Sequence, residues 1–160
     1  IENCQVGVFL AYRSLTGHAL IDRALYLPRE WADDAARRAE AKVPDSVTFA
    51  TKQTLAREMV AKALAAKVPA AWLTADEVYG SDYNFRRFCE DHRLNYVVAI
   101  SSTTHLAVGL KRHAVRKYLS EISANAWHCW SCGAGAKGQR EYDWAFLTWP
   151  HHEQKTHARG

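Results

Sequence analysis

The sequence predicts an α/β fold with a mixed sheet and flanking helices, followed by a β-rich segment. Three observations lead there. Two apolar stretches separated by a short turn, "CQVGVFLAY" and "HALIDRALYLP", open the chain. Two later stretches, "AAWLTADEVYG" and "NYVVAISS", alternate with segments of helical period. Strands joined by a tight turn pair antiparallel, whereas strands joined through helices are set parallel by a crossover.

Residues 4–12 are apolar on both alternating faces, with Val6, Val8 and Leu10 on one and Phe9 and Ala11 on the other. That pattern predicts a strand covered on both sides. Thr16-Gly17 supplies a hairpin turn, and the returning strand runs until Pro28, with Asp22 and Arg23 placing it near an edge. Residues 29–50 are charged, rich in Ala and broken by Pro44, which predicts a loop with a helical turn. From Thr51, an N-cap residue type, Leu55, Met59, Val60, Ala63 and Leu64 form a helical stripe that Pro69 closes. "AAWLTADEVYG" follows as a strand. Ser81 or Asp82 caps a second helix carrying Phe85, Phe88 and Cys89 inward, and "NYVVAISS" is a further strand. Residues 110–122, "LKRHAVRKYLSEI", predict a helix with Lys111, Arg112, Arg116 and Lys117 solvated. "WHCWSCGAGAKGQREYDWAFLTW" predicts two strands around a glycine-rich loop, and residues 150–160 a disordered tail.

A chain of 160 residues is long enough to bury a core, and 24% charged residues with 48% hydrophobic ones are ordinary globular values. No apolar run approaches the roughly 20 residues of a membrane span, and no signal-peptide pattern is present. The chain starts at Ile1 rather than Met, which is expected of a fragment. A formal net charge of +4 permits a polyanionic partner. Four cysteines at 4, 89, 129 and 132 do not make a disulfide framework in a chain this long, so a reducing, cytoplasmic setting is expected.

Gly133, Gly135 and Gly138 spell G-x-G-x-x-G. A dinucleotide site needs a strand before that motif and a helix after it. Here a strand follows, so a hairpin tip is expected, with Lys137 and Arg140 placed to touch a phosphate backbone. Cys129 and Cys132, with His151, His152 and His157, contain enough ligands for a tetrahedral zinc site, but eighteen residues separate Cys132 from the first His. Two free thiols beside Trp127 and Trp130 are the plainer alternative. Arg112 and Arg116 read first as a solvated helix face and second as phosphate contacts.

Asp76 ends the strand "AAWLTAD". A strand-terminal Asp is commonly a cap or a solvated end. An antiparallel hairpin, a helix and a strand ending in Asp are, however, most of a ribonuclease-H-like fold, and ligands of open α/β sheets gather at the carboxyl ends of parallel strands.

In order along the chain, "IENCQVGVFLAY", "GHALIDRALYLP", "FATKQTLAREM", "VPAAWLTADEVYG", "YVVAI" and "GAGAKGQREYDWA" resemble bacterial insertion-sequence transposases of the DDE superfamily. The resemblance covers residues 1 to about 149 and includes a β-rich insertion; the tail after Pro150 departs from it. It implies residues 1–104 as a partial ribonuclease-H-like catalytic core and 105–149 as the start of the insertion. It also implies metal-dependent cleavage and transfer of DNA strands, in which three carboxylates hold two Mg²⁺ ions. The family's central Asp falls on Asp76. Glu77, directed to the opposite face of a strand, is not counted as a ligand.

By that resemblance the first acid would precede Ile1 and the last would follow the end of this chain, so the chain alone is expected to be inactive. The family fold would also place a strand between the hairpin and "AAWLTAD". Without it, residues 4–12 must pair directly with residues 70–76, or the sheet must split. The implied partner is DNA at transposon ends, with the insertion residues Trp127, Trp130, Lys137 and Arg140 stacking on it or neutralising it. Homo-oligomerisation of the intact protein, a cytoplasmic and nucleoid-associated location and no membrane contact also follow. Two rivals remain open: a zinc- or nucleic-acid-binding module without catalysis, and an unrelated nuclease drawing its other acids from Glu121 and Asp143.

Overall fold

The computed structural model describes residues 5–108, 111–136 and 138–148. The chain divides into two compact units, residues 1–100 and 101–160. Among the described residues no helix is long and apolar enough to cross a membrane.

The first unit begins with strand β1 (Val6–Arg13) and strand β2 (His18–Tyr26), paired antiparallel from Val6 opposite Tyr26 to Arg13 opposite His18. The turn closes through Ser14 N–H donating to the Gly17 carbonyl at 2.8 Å. A register shift between Leu10 and Ala11 adds a residue to β2. The strand alternates as expected, but only one face is covered. Val8 is buried and Val6, Leu10 and Tyr12 are half-buried, while Phe9 is 56% exposed. The expectation of a strand covered on both sides is therefore corrected: helices pack on the Val8 face, and among the described residues no layer covers Phe9.

Residues 29–50 form two short helices, α1 (Arg29–Ala32) and α2 (Ala35–Glu40). Arg38 fastens the loop beyond them, its guanidinium donating to the carbonyls of Ala32, Pro44 and Val47, the last at 2.9 Å. Helix α3 (Lys52–Ala65) starts where Thr51 caps it, the Thr51 hydroxyl accepting from Thr54 N–H at 3.1 Å. It is closed before Pro69 by Lys67, which holds the left-handed cap conformation at φ 56°. Val68 N–H reaches the Ala63 carbonyl and Lys67 N–H the Leu64 carbonyl, which is the Schellman closure. Helices α2 and α5 end in the same way at Lys42 and Arg93.

Strand β3 is short, Leu73–Ala75, and the chain then turns into the single-turn helix α4 (Glu77–Gly80). The longer strand expected over 70–76 and beyond is thus cut at Ala75. Asp82 caps helix α5 (Tyr83–Asp91), accepting from Phe85 N–H at 2.6 Å, and strand β4 (Tyr96–Val98) lies parallel to β3. The core of this unit is Val8 with Ala56 and Met59 of α3 and Phe85 and Cys89 of α5, flanked by Leu73, Ala75 and Val98. The sheet splits: β1–β2 and β3–β4 are separate two-stranded ladders, and β1 does not pair with β3.

In the second unit the predicted helix over 110–122 is only partly formed. Strand β5 (His105–Val108) pairs antiparallel with strand β6 (Lys111–Ala114), and the helix α6 is confined to Val115–Leu119. His105–Val108 and Lys111–Ala114 pair their backbones with each other, which leaves too few residues for a long helix. A 3-10 turn (Ala124–Ala126) leads into the hairpin of β7 (His128–Gly135) and β8 (Gly138–Trp144). No described residue of this unit is fully buried.

Candidate functional site

Asp76 sits at the carboxyl end of β3, the position from which an α/β strand presents a side chain to a ligand. Its backbone is extended, φ −78° and ψ −175°, and it is the N-cap of α4. Oδ1 accepts from Val78 N–H at 2.9 Å, and the residue is exposed. The cap explains why an apolar strand stops at two acids: Asp76 satisfies an orphan amide of the following turn and Glu77 occupies its first position, where a negative charge is favourable. Glu77 is therefore on a helical turn rather than on the far face of a strand.

The turn is fixed on three sides. Gln53 Nε2 donates to the Val78 carbonyl at 2.8 Å, tying it to α3. Arg86 of α5 donates to the Gly80 carbonyl. Gly80 is buried against β4, where a Cβ would overlap the Ala99 carbonyl and lie 2.8 Å from Val98 Cβ. Tyr79 packs beside Phe85, ring centroids 5.8 Å apart. Burial pushes its phenol up, and the Asp76 charge pushes it further in the same direction.

A two-cation site needs several converging carboxylates. Among the described residues no three His, Cys, Asp or Glu side chains gather in one place. The residues present, Asp76 with Glu77 beside it in sequence, do not fit a complete two-cation site. Glu121 and Asp143 belong to the second unit, and Asp143 lies opposite Cys129 in the β7–β8 ladder.

The second unit places the remaining candidates. Arg112 lies on β6 and Arg116 on α6, both exposed, so they do not share the single helix face expected of them. Trp127 precedes β7 and Trp130 lies within it, 37% and 50% exposed. Cross-strand pairing of His128 with Trp144 and of Trp130 with Tyr142 puts four aromatic rings on one face of the hairpin. His128 stacks on Trp130 at 6.0 Å, and Phe146 approaches Trp130 at 5.8 Å. Alternation along β8 puts Arg140 with Tyr142 and Trp144, and Glu141 and Asp143 on the opposite face. The sequence reading missed Tyr142, Trp144 and His128 as members of this face; the period-2 pattern of "REYDW" carried the signal.

Gly133 has φ +78° at the ladder's irregularity, and Gly135 pairs with Gly138 across the turn. A Cβ at Gly135 would lie 2.9 Å from Arg140 Cδ, so that glycine lets the arginine lie along the hairpin, where it donates to the Cys132 carbonyl at 3.1 Å. The glycine motif is a hairpin feature. Cys129 and Cys132 are free and exposed. Lys137, His151, His152, His157 and the tail from Pro150 lie outside the described residues.

Comparison with known proteins gives one family. The model described as DDE superfamily endonuclease matches residues 1–121. No curated protein and no solved structure matches the chain.

Proposed function

Because the chain belongs to the DDE superfamily endonuclease family, we propose that it carries part of the catalytic region of a transposase that cuts and joins DNA strands, with Asp76 as one carboxylate of its Mg²⁺ site. The observation that carries this reading is the exposed carboxylate at the end of a parallel strand, on a turn held by Gln53 and Arg86. Residues 1–104 are then a ribonuclease-H-like core in part. Support comes from the antiparallel hairpin, the helix and the β3–α5–β4 parallel unit in that order. Residues 105–149 are the start of a β-rich insertion.

DNA contact falls to the second unit. The aromatic face of the β7–β8 hairpin offers Trp130 for stacking and Arg140 for a phosphate, while Arg112, Arg116, Trp127 and Lys137 extend the contact. Transposon ends are the substrate class and assembly into an oligomer is the working state. This chain alone does not cut DNA on this reading, because among the described residues no cluster of acids gathers around Asp76 and one carboxylate cannot hold two cations against a phosphate.

Supercoiled-plasmid nicking in Mg²⁺ tests the proposal. Wild type and Asp76→Asn should both stay at background. Mg²⁺-dependent nicking abolished by Asp76→Asn would mean that the chain gathers its own acids.

A further inference from the structure

The charged stretch between β2 and α3 carries cations seated on aromatic rings. The Arg29 guanidinium lies over Phe49, 4.2 Å from the ring centre, and Arg37 lies over Trp31 at 4.1 Å. Lys52 Nζ lies over Tyr26 at 5.1 Å. The first and last of these pairs lie on the rim of the first unit that bears Asp76. We infer that Arg29 and Lys52 are positioning residues, which hold backbone phosphates of the DNA strand bound at Asp76. The inference rests on the proposed role of Asp76 and extends the DNA contact to the first unit.

Topology places the two pairs on that rim. β2 ends at Tyr26 and β3 ends at Ala75. The start of α3 joins both ends. Lys52, its first residue, reaches back over Tyr26, and Gln53, its second, donates to the Val78 carbonyl at 2.8 Å. Val78 N–H in turn donates to Asp76 Oδ1 at 2.9 Å. Consecutive residues of one helix therefore hold the end of β2 and the turn that carries the carboxylate. Arg29 follows β2 closely and Phe49 shortly precedes α3, so their contact spans the same rim.

Charge and order give the chemistry. Among the described residues neither Arg29 nor Lys52 forms an ion pair. A ring beneath a cation fixes its head without occupying its donors. The face of the Arg29 guanidinium rests on Phe49, and its N–H edges stay available for the oxygens of a phosphate. Such heads are ordered before the ligand arrives, which lowers the cost of binding. Asp76 and Glu77 repel a phosphate that approaches without a metal. Two fixed cations, with the positive end of the 14-residue α3 behind them, offset that repulsion.

The test measures binding of a short duplex oligonucleotide to the full 160-residue chain by fluorescence anisotropy across a salt series. Arg29→Ala and Lys52→Ala should each weaken binding about three- to tenfold and lower the salt slope by about one ion. Lys67→Ala, the same loss of charge at the other end of α3, should change neither. Phe49→Leu keeps the charge and removes its seat, so affinity should fall with the slope unchanged, whereas Phe49→Tyr should bind as wild type does. In metal-free buffer Asp76→Asn should tighten binding about twofold and Glu58→Gln, further along α3, should not. Wild-type affinity and slope in both Arg29→Ala and Lys52→Ala, with Arg140→Ala still weakened, would overturn the inference and leave the family reading standing. Wild-type binding by Phe49→Leu, or no tightening by Asp76→Asn, would also overturn it. A wild-type chain that binds no duplex would overturn both the inference and the reading beneath it.

Discussion

The carboxylate of Asp76 accepts a hydrogen bond from the backbone N–H of Val78 at 2.9 Å, so the residue proposed for metal binding is also the cap that turns the chain out of β3. These two roles separate by substitution. Asparagine caps about as well as aspartate, whereas alanine does not. Asp76→Ala should lower stability by about 1 kcal/mol and Asp76→Asn by only a few tenths, measured by urea denaturation. Both should equally remove cation binding.

Asp76 also has an optical reporter. Its charge is one of the two causes holding the Tyr79 phenol above its ordinary value, the larger being burial. Asp76→Asn should move the Tyr79 titration downward, part of the way back, as read by phenolate absorbance against a Tyr79→Phe control. An unchanged titration would mean that the carboxylate does not face Tyr79.

Gly80 is needed for space and not for backbone freedom. A methyl group there meets the Ala99 carbonyl, so Gly80→Ala should cost about 2 kcal/mol or more, through displacement of α4 from β4. Arg93→Gly works in the opposite direction. Arg93 holds φ +54° at the end of α5, a conformation glycine adopts without strain, and the substitution should add up to about 1 kcal/mol. Thermal melts of both variants read the two signs.

Alkaline pH should loosen the first unit. Burial pushes the Cys89 thiol up to about 11, and burial with the Glu90 hydrogen bond pushes Tyr96 up to about 12. Both groups hold their protons more tightly folded than unfolded, so their contribution is complete below pH 9 and is lost as pH rises through 11 to 12. The loss should appear as a fall in stability that begins near pH 9 and continues through pH 12. Cys89→Ala should flatten the part of the stability profile that begins near pH 9.

On the hairpin, Trp130→Ala and Arg140→Ala separate stacking from charge. Trp130→Ala should weaken binding of a single-stranded oligonucleotide by about 1–3 kcal/mol with its salt dependence unchanged. Arg140→Ala should reduce the salt slope by about one ion. Fluorescence anisotropy across a salt series reads both; no effect from either would remove the hairpin from the proposed DNA interface.

Much of the first unit was legible because local and long-range signals agree there. Thr51 and Asp82 cap the helices that the apolar periods of α3 and α5 announce, and Thr16-Gly17 turns the hairpin. Helix ends were less so, since Lys42, Lys67 and Arg93 take the left-handed position without glycine. The start of the helix expected over 110–122 misled because "KRHA", residues 111–114, suits a helix surface as well as an edge strand, and only pairing with His105–Val108 decides. For Asp76 the strand end was legible but the cap was not. Both faces of β1 are apolar, yet sequence pattern alone does not say whether a second layer exists to cover Phe9.

Mn²⁺-induced paramagnetic broadening of the amide spectrum, wild type against Asp76→Asn, tests the central claim most directly. Broadening centred on residues 75–79, half-saturated only at millimolar Mn²⁺ and absent from Asp76→Asn, is the expected result. Tight binding of two ions, or broadening that survives the substitution, would contradict the proposal that Asp76 is the described carboxylate that holds the metal.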